Sequence, residues 1–279
     1  MVKGALLKRG PVGYLRAWLG DFGWVYIVWS IVQGLMQYAL AGSVNSERTL
    51  GSVFALWLPA NQMWFLSWIM VMTVLVTAAQ PWRSRLRGVL SVLGAAALSI
   101  GCWGLFGPFI FVQGLGLSVF FAAAALGLAG YVRLRERLGN GVLLVLAVSA
   151  AVYGLIIALG HPAAPATTQF GRGPGPVCQG FVCAWAGVIA VFALSVLLDT
   201  TGPASRLLAY LGRRSMVIFL AHTIALAAAR ILLVRLGVES VPVHLVVGTV
   251  VALAGSIALW WATRRWLPWI WHAPRRVTG

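Results

Sequence analysis

Eight apolar runs divide the chain, near residues 22–42, 64–80, 86–106, 115–133, 141–160, 178–198, 211–235 and 243–266. A bilayer core of roughly 30 Å takes about 20 residues of α-helix at 1.5 Å per residue, so each run predicts a transmembrane helix. The second run is short. The stretch before it, Leu50 to Pro59, predicts a helix lying in the membrane interface and ended by Pro59 and Asn61. The longest connection outside the basic side, Gly160 to Val177, is rich in Pro and Gly and predicts irregular, mobile backbone. The expected fold is an all-α, polytopic helix bundle of about eight spans. It forms one domain over 1–279, with a basic leader (1–21), the bundle (22–266) and a tail (267–279).

Composition agrees with a lipid-facing surface. Hydrophobic residues make up 61% and charged residues 9%, against about 45–50% and about 25% in a soluble domain. Such a chain cannot clothe itself in polar groups. The net charge of +16 would suggest nucleic acid in a soluble protein. Here the basic residues sit in short clusters between the apolar runs, and seventeen of the 21 fall in alternate connections and the two ends. Only Arg48, Arg172 and Arg235 fall on the other side, and Arg230 lies inside a run. The positive-inside rule then places both termini in the cytoplasm of a multi-pass cell-membrane protein and removes the case for nucleic acid as a partner. Met1 to Gly20 is basic without a continuous apolar core, unlike a cleavable signal peptide.

Few polar groups lie at membrane depth. In the seventh run Ser215, Phe219, His222, Leu226 and Arg230 recur at helical spacing as one stripe. A charge in hydrocarbon usually faces the bundle interior, so one reading is a polar cavity lined by this stripe. The other is an interhelical hydrogen bond by His222, with Arg230 reaching outward to the headgroups. Asn61, Gln62, Trp64 and Ser67 stand at the outer mouth of the second run, where Trp64 also suits a plain interfacial anchor. Gln33 and Gln37, one turn apart, are placed to face the same cavity. Cys102, Cys178 and Cys183, with His161, His244 and His272, show no zinc spacing, so no metal is expected. None of the five acidic residues is mid-run, which argues against a carboxylate proton relay. Neither a phosphate-binding glycine motif nor a GxSxG is present.

Several stretches resemble the membrane acyltransferase-3 family. LLKRGPVGYLRAWLGDFGWVYIVWSIVQG is similar to that family's basic segment and following helix, with Trp24-Val25-Tyr26 and Trp29-Ser30 but without the common proline in that span. MWFLSWIM (63–70) is similar to its Trp-Phe-Leu span. AYLGRRSMVIFLAHTIALAAARILL resembles the helix near the C-terminus that carries a Tyr-Leu-x-His pattern, with Phe219 in the tyrosine's place and His222 matching the histidine. FFAAAALGLAGYVRLRERL fits a helix ending in a short basic loop. The order and spacing of all four agree.

The resemblance implies transfer of an acyl group, commonly acetyl, from acyl-CoA to a hydroxyl of a glycan or other envelope acceptor. It also implies about ten core spans and a catalytic histidine in a helix upstream of anything matched here. No histidine precedes His161. That leaves a late start site, a remnant or a divergent member as expectations, any of which leaves activity of this form in question. His222 stands as the weak catalytic candidate, with a supporting role favoured. Arg230, Trp64, Ser215 and Gln33 are candidates for substrate binding. Arg9, Arg213 and Arg214 are candidates for the phosphates of the acetyl-CoA donor, against the plain reading that they express positive-inside bias. A transporter or flippase built on the His222–Arg230 stripe, and a non-catalytic membrane scaffold, are the alternatives.

Overall fold

A computed structural model describes residues 2–40, 49–58, 61–105, 114–124, 139, 141–165, 173–198 and 202–274, without the side chains of 2–9 and 61. Among these residues the chain is helix and turn with no strand, the arrangement that keeps backbone hydrogen bonds satisfied inside lipid. The helices are α1 (Val2–Ala39), α2 (Leu50–Val53), α3 (Trp64–Ala79), α4 (Arg85–Gly101), α5 (Leu115–Ala124), α6 (Gly141–Leu159), α7 (Pro174–Leu198), α8 (Pro203–Arg213), α9 (Ser215–Arg235) and α10 (Val241–Thr263).

Five stretches among the described residues are long and apolar enough to cross a membrane: Gly10–Ala39, Gly141–Leu159, Pro174–Leu198, Ser215–Arg235 and Val241–Thr263. α3 and α5 are apolar but shorter. The 16 residues of α3 extend about 24 Å at 1.5 Å each. α4 carries Arg85 and Arg87 in its first turn, and the run expected to end at 133 lies outside the described residues beyond Ala124. The protein is therefore an all-helical membrane protein with five clear spans of the eight expected.

Three local differences from the sequence pattern have physical causes. α1 begins far before residue 22, so most of the expected leader is helical. It breaks at Gly10, whose φ of 70° and ψ of 166° are open to glycine but strained for other residues, and it resumes at Pro11. The expected interfacial helix at 50–59 is a single turn, α2. Thr49 caps it and Val53 is buried in it, and a Cβ at Gly34 of α1 would stand 3.1 Å from Val53. The seventh run starts at Ser215, because the helix breaks at Arg214 (φ −111°, ψ 14°) and leaves α8 as a separate element.

The chain divides into two compact units, Met1–Arg16 with Trp64–Thr201, and Ala17–Met63 with Gly202–Gly279. In the first, α6 and α7 pack along each other beside a core of Trp103, Ala163 and Val177, against which Phe120 and Phe181 lie. The Trp103 indole donates to the Ala163 carbonyl at 2.7 Å, and the Ala163 N–H donates to the Pro176 carbonyl at 2.9 Å. Gly180 admits the Ala163 carbonyl because it has no side chain: a Cβ there would overlap it. These bonds fix residues 160–165, the described start of the Pro/Gly-rich connection.

In the second unit α9 packs along α10 through small residues. Gly248, Ala252 and Ser256 of α10 are buried at intervals of four, which lets membrane helices approach closely. The segment after α10 returns to α1. The Trp24 indole donates to the Trp269 carbonyl at 2.7 Å, and the Trp29 indole donates to the Ile270 carbonyl at 2.6 Å. The Ala273 N–H donates to Asp21 Oδ1 at 2.9 Å. Residues 267–274 are thus fastened to the unit, and the rest of the expected tail lies outside the described residues.

Candidate functional site

Within the second unit α1 presents a buried polar stripe, Ser30, Gln33 and Gln37, at spacings of three and four on one helix face. Side chains of this kind are rarely buried in a lipid-facing bundle without partners. Part of the stripe meets the backbone of α9. Gln33 Nε2 donates to the Leu220 carbonyl at 3.0 Å. Gln62, just beyond the α2 segment, donates from Nε2 to Thr223 Oγ1 at 3.0 Å and to the Phe219 carbonyl at 3.4 Å. Both amides spend their donors on α9. Gln33 Oε1, Gln62 Oε1 and Ser30 Oγ are buried with no hydrogen-bond partner among the described residues. A buried acceptor without a donor costs about 1–3 kcal/mol, and such groups in a native fold call for an explanation.

A cavity of about 50 Å³ opens beside this stripe, lined by Gln33, Met36, Gln37, Thr223, Ile224 and Ala227 among others. It has room for a few waters or one small polar group, not for a whole sugar ring.

His222 lies one residue before Thr223 and is half-buried. Its Nδ1 stands 3.0 Å from the Ile218 carbonyl and 2.9 Å from the Phe219 carbonyl. Both neighbours are acceptors, so in the neutral ring the proton must sit on Nδ1. The lone pair is then on Nε2, which makes no hydrogen bond among the described residues. A ring whose tautomer is set by one nitrogen offers the other as a proton acceptor.

The remaining predicted residues fall in several places. On α9 the residues lining the cavity, Thr223, Ile224 and Ala227, lie with Leu220 on one face. The stripe through Ser215, His222 and Arg230 is centred roughly 100° round the helix from it. Ser215 and Arg230 are exposed, as the outward reading of Arg230 requires. Arg213 is exposed and Arg214 half-buried. The Arg214 guanidinium lies 3.8 Å from the Tyr210 ring centre and 5.2 Å from that of Trp260. Trp64 opens α3 in the other unit, edge-on to Phe65 at 6.0 Å. The side chains of Arg9 and Asn61 lie outside the described residues. Thr223 and the way Gln62 reaches it escaped the sequence reading. The only signal for them was the polar pair His222-Thr223 in an apolar run. No cluster of metal-ligating side chains occurs among the described residues.

A family model described as an acyltransferase domain matches residues 5–261. Searches of curated proteins and of solved structures found no match.

Proposed function

The chain belongs to the acyltransferase-3 family of membrane proteins, and from that premise we propose that it transfers an acyl group, acetyl in the first instance, from acyl-CoA to a hydroxyl of a glycan or other envelope acceptor. The observation that carries the reading is His222, whose Nδ1 faces two carbonyls and whose Nε2 is left as the proton acceptor. A hydroxyl is a weak nucleophile until a base takes its proton. In the proposed step His222 Nε2 takes the acceptor's proton as the oxygen attacks the thioester carbonyl. The C–S bond then breaks, and the proton passes from Nε2 to the leaving thiolate. The products are an ester and free CoA.

The amide cluster suits the acceptor. Gln33 Oε1 and Gln62 Oε1 lack donors among the described residues, and a second hydroxyl of the acceptor, not the reacting one, would supply one. The cavity admits a single hydroxymethyl rather than a ring, so the rest of the acceptor, with the hydroxyl that His222 deprotonates, would lie outside it on the His222 side of α9. Arg9 and Arg214 are proposed for the donor's phosphates, which guanidinium groups bind bidentately. Arg214 precedes His222 by eight residues, about 12 Å along the helix axis, and the thioester arm would have to cover that depth. We further propose eight spans, with α3, α4 and the run at 115–133 crossing as well, and both termini on the cytoplasmic side of the cell membrane.

The test is to incubate membranes containing the chain with acetyl-labelled acetyl-CoA and envelope carbohydrate. Ester-linked label above that of membranes without the chain supports the proposal. No label, with the protein folded and inserted, contradicts it.

A further inference from the structure

Among the described residues of the second unit, α8 is the helix whose apolar and polar sides are sharply divided. At 100° per residue, Ala204, Leu207, Leu208 and Leu211 fall on one side, and Arg206, Tyr210 and Arg213 fall on the other. Among the described residues most of the apolar side is left open: Leu207 is 58% exposed and Leu208 49%, with Leu211 half-buried. The helix is too short to cross a bilayer, and it is cut from the spanning helix α9 by the non-helical Arg214.

Its depth is fixed by what holds it. Arg214 stacks on Tyr210 of α8 and also faces Trp260 near the end of α10. Trp260 is shared with Arg264, 4.7 Å away, which in turn lies 3.7 Å from Trp261. Tryptophans beside arginines at the end of a spanning helix mark the membrane–water boundary. α8 is fastened to that boundary, and Arg206 and Arg213 are exposed there. Neither makes an ion pair among the described residues.

We propose that α8 lies in the plane of the membrane as an interfacial helix. Leu207, Leu208 and Leu211 sit in the acyl boundary, and Arg206 and Arg213 bind the phosphates of anionic phospholipid. Amphipathic helices with basic polar faces seat in this way, and charge complementarity selects the anionic leaflet. The seat does not depend on the transferase reading.

The test uses the full chain in lipid nanodiscs of phosphatidylcholine, with and without phosphatidylglycerol. A single spin label is placed in turn at each position from 204 to 213, in a background where the native cysteines are replaced. Collision rates with oxygen, which partitions into lipid, and with a water-soluble nickel complex are measured at each site. Oxygen access is expected to peak at 207, 208 and 211, nickel access at 206 and 213, with a 3.6-residue period. Equal nickel access at every position would overturn the proposal, because α8 would then stand in water. Protection from both probes at 207 and 208 would overturn it too, because protein would then cover that side. Adding phosphatidylglycerol should shift the lipid-seated population in the native chain, and Arg206→Gln and Arg213→Gln should each reduce that shift by about fivefold. An unchanged response in the double variant would overturn the role of the arginines. Each labelled or substituted protein is required to elute as the native species, so misfolding is recognised separately.

Discussion

Replacing His222 by asparagine separates the two things this side chain does. The Asn amide N–H can occupy the place of Nδ1–H and donate to the carbonyls now 3.0 and 2.9 Å away, but nothing replaces Nε2. Stability should therefore stay near that of the native protein. His222→Ala removes the donor as well and should cost about 0.5–1.5 kcal/mol, the net worth of one such bond. Against a folding free energy of about 5–15 kcal/mol that loss leaves nearly every molecule folded, so rate changes cannot be ascribed to unfolding. Loss of a general base lowers the rate by about 10²–10⁴-fold, equivalent to about 2.7–5.4 kcal/mol of barrier at 1.36 kcal/mol per decade. Both variants should lose that much in kcat, while thermal unfolding separates Ala from Asn and native. The assay is release of free CoA and formation of ester by the purified chain in vesicles. If His222→Asn retains the native rate while His222→Ala does not, the ring acts through its Nδ1 donor as a positioning residue. The proton-acceptor role is then refuted.

Gln33→Met removes a donor to Leu220 together with an acceptor that has no partner among the described residues. Its unfolding midpoint should move little, with a net change within about 1 kcal/mol, whereas KM for the acceptor should rise. Gly180→Ala drives a Cβ into the Ala163 carbonyl and to 2.8 Å from the Trp103 indole nitrogen. It should destabilise the first unit by about 1–3 kcal/mol, read as a lower unfolding midpoint. Trp29→Phe deletes the 2.6 Å bond to Ile270. Amide hydrogen exchange at residues 270–274 should quicken, with a cost of about 1 kcal/mol, while exchange in α6 and α7 stays unchanged.

How much was legible in the sequence depends on what each feature answers to. The long spans were readable because a bilayer imposes one length and one polarity on a helix, and α6, α7 and α10 fall within a few residues of their apolar runs. Where local backbone chemistry decides, the pattern was silent. The run at 211–235 extends across the polar Gly212-Arg213-Arg214-Ser215 step, so it misses the break at Arg214 and leaves most of α8 in the basic connection before it. The overlooked signal was Leu207, Leu208 and Leu211 at helical spacing, set opposite Arg206 and Arg213. Gln33 was picked out because a buried amide stands out in an apolar run. Its partner is the Leu220 carbonyl, 187 positions away, and a backbone group leaves no mark in side-chain pattern. For the same reason the fastening of 269–273 to α1 through main-chain atoms could not be read from a tail that looked merely basic and aromatic. The predicted stripe on α9 held His222 and Arg230 together by spacing alone. Spacing tells which residues share a face, but not which face is packed.

Acyl transfer by the purified full-length chain in sealed vesicles tests the account most directly. With labelled acetyl-CoA and a hydroxyl-bearing envelope glycan, ester-linked label should appear on the glycan in equal amount to the CoA released, and fall at least about a hundredfold in His222→Asn. Passage of the glycan across the vesicle with no ester formed, or no transfer by folded protein, would contradict it.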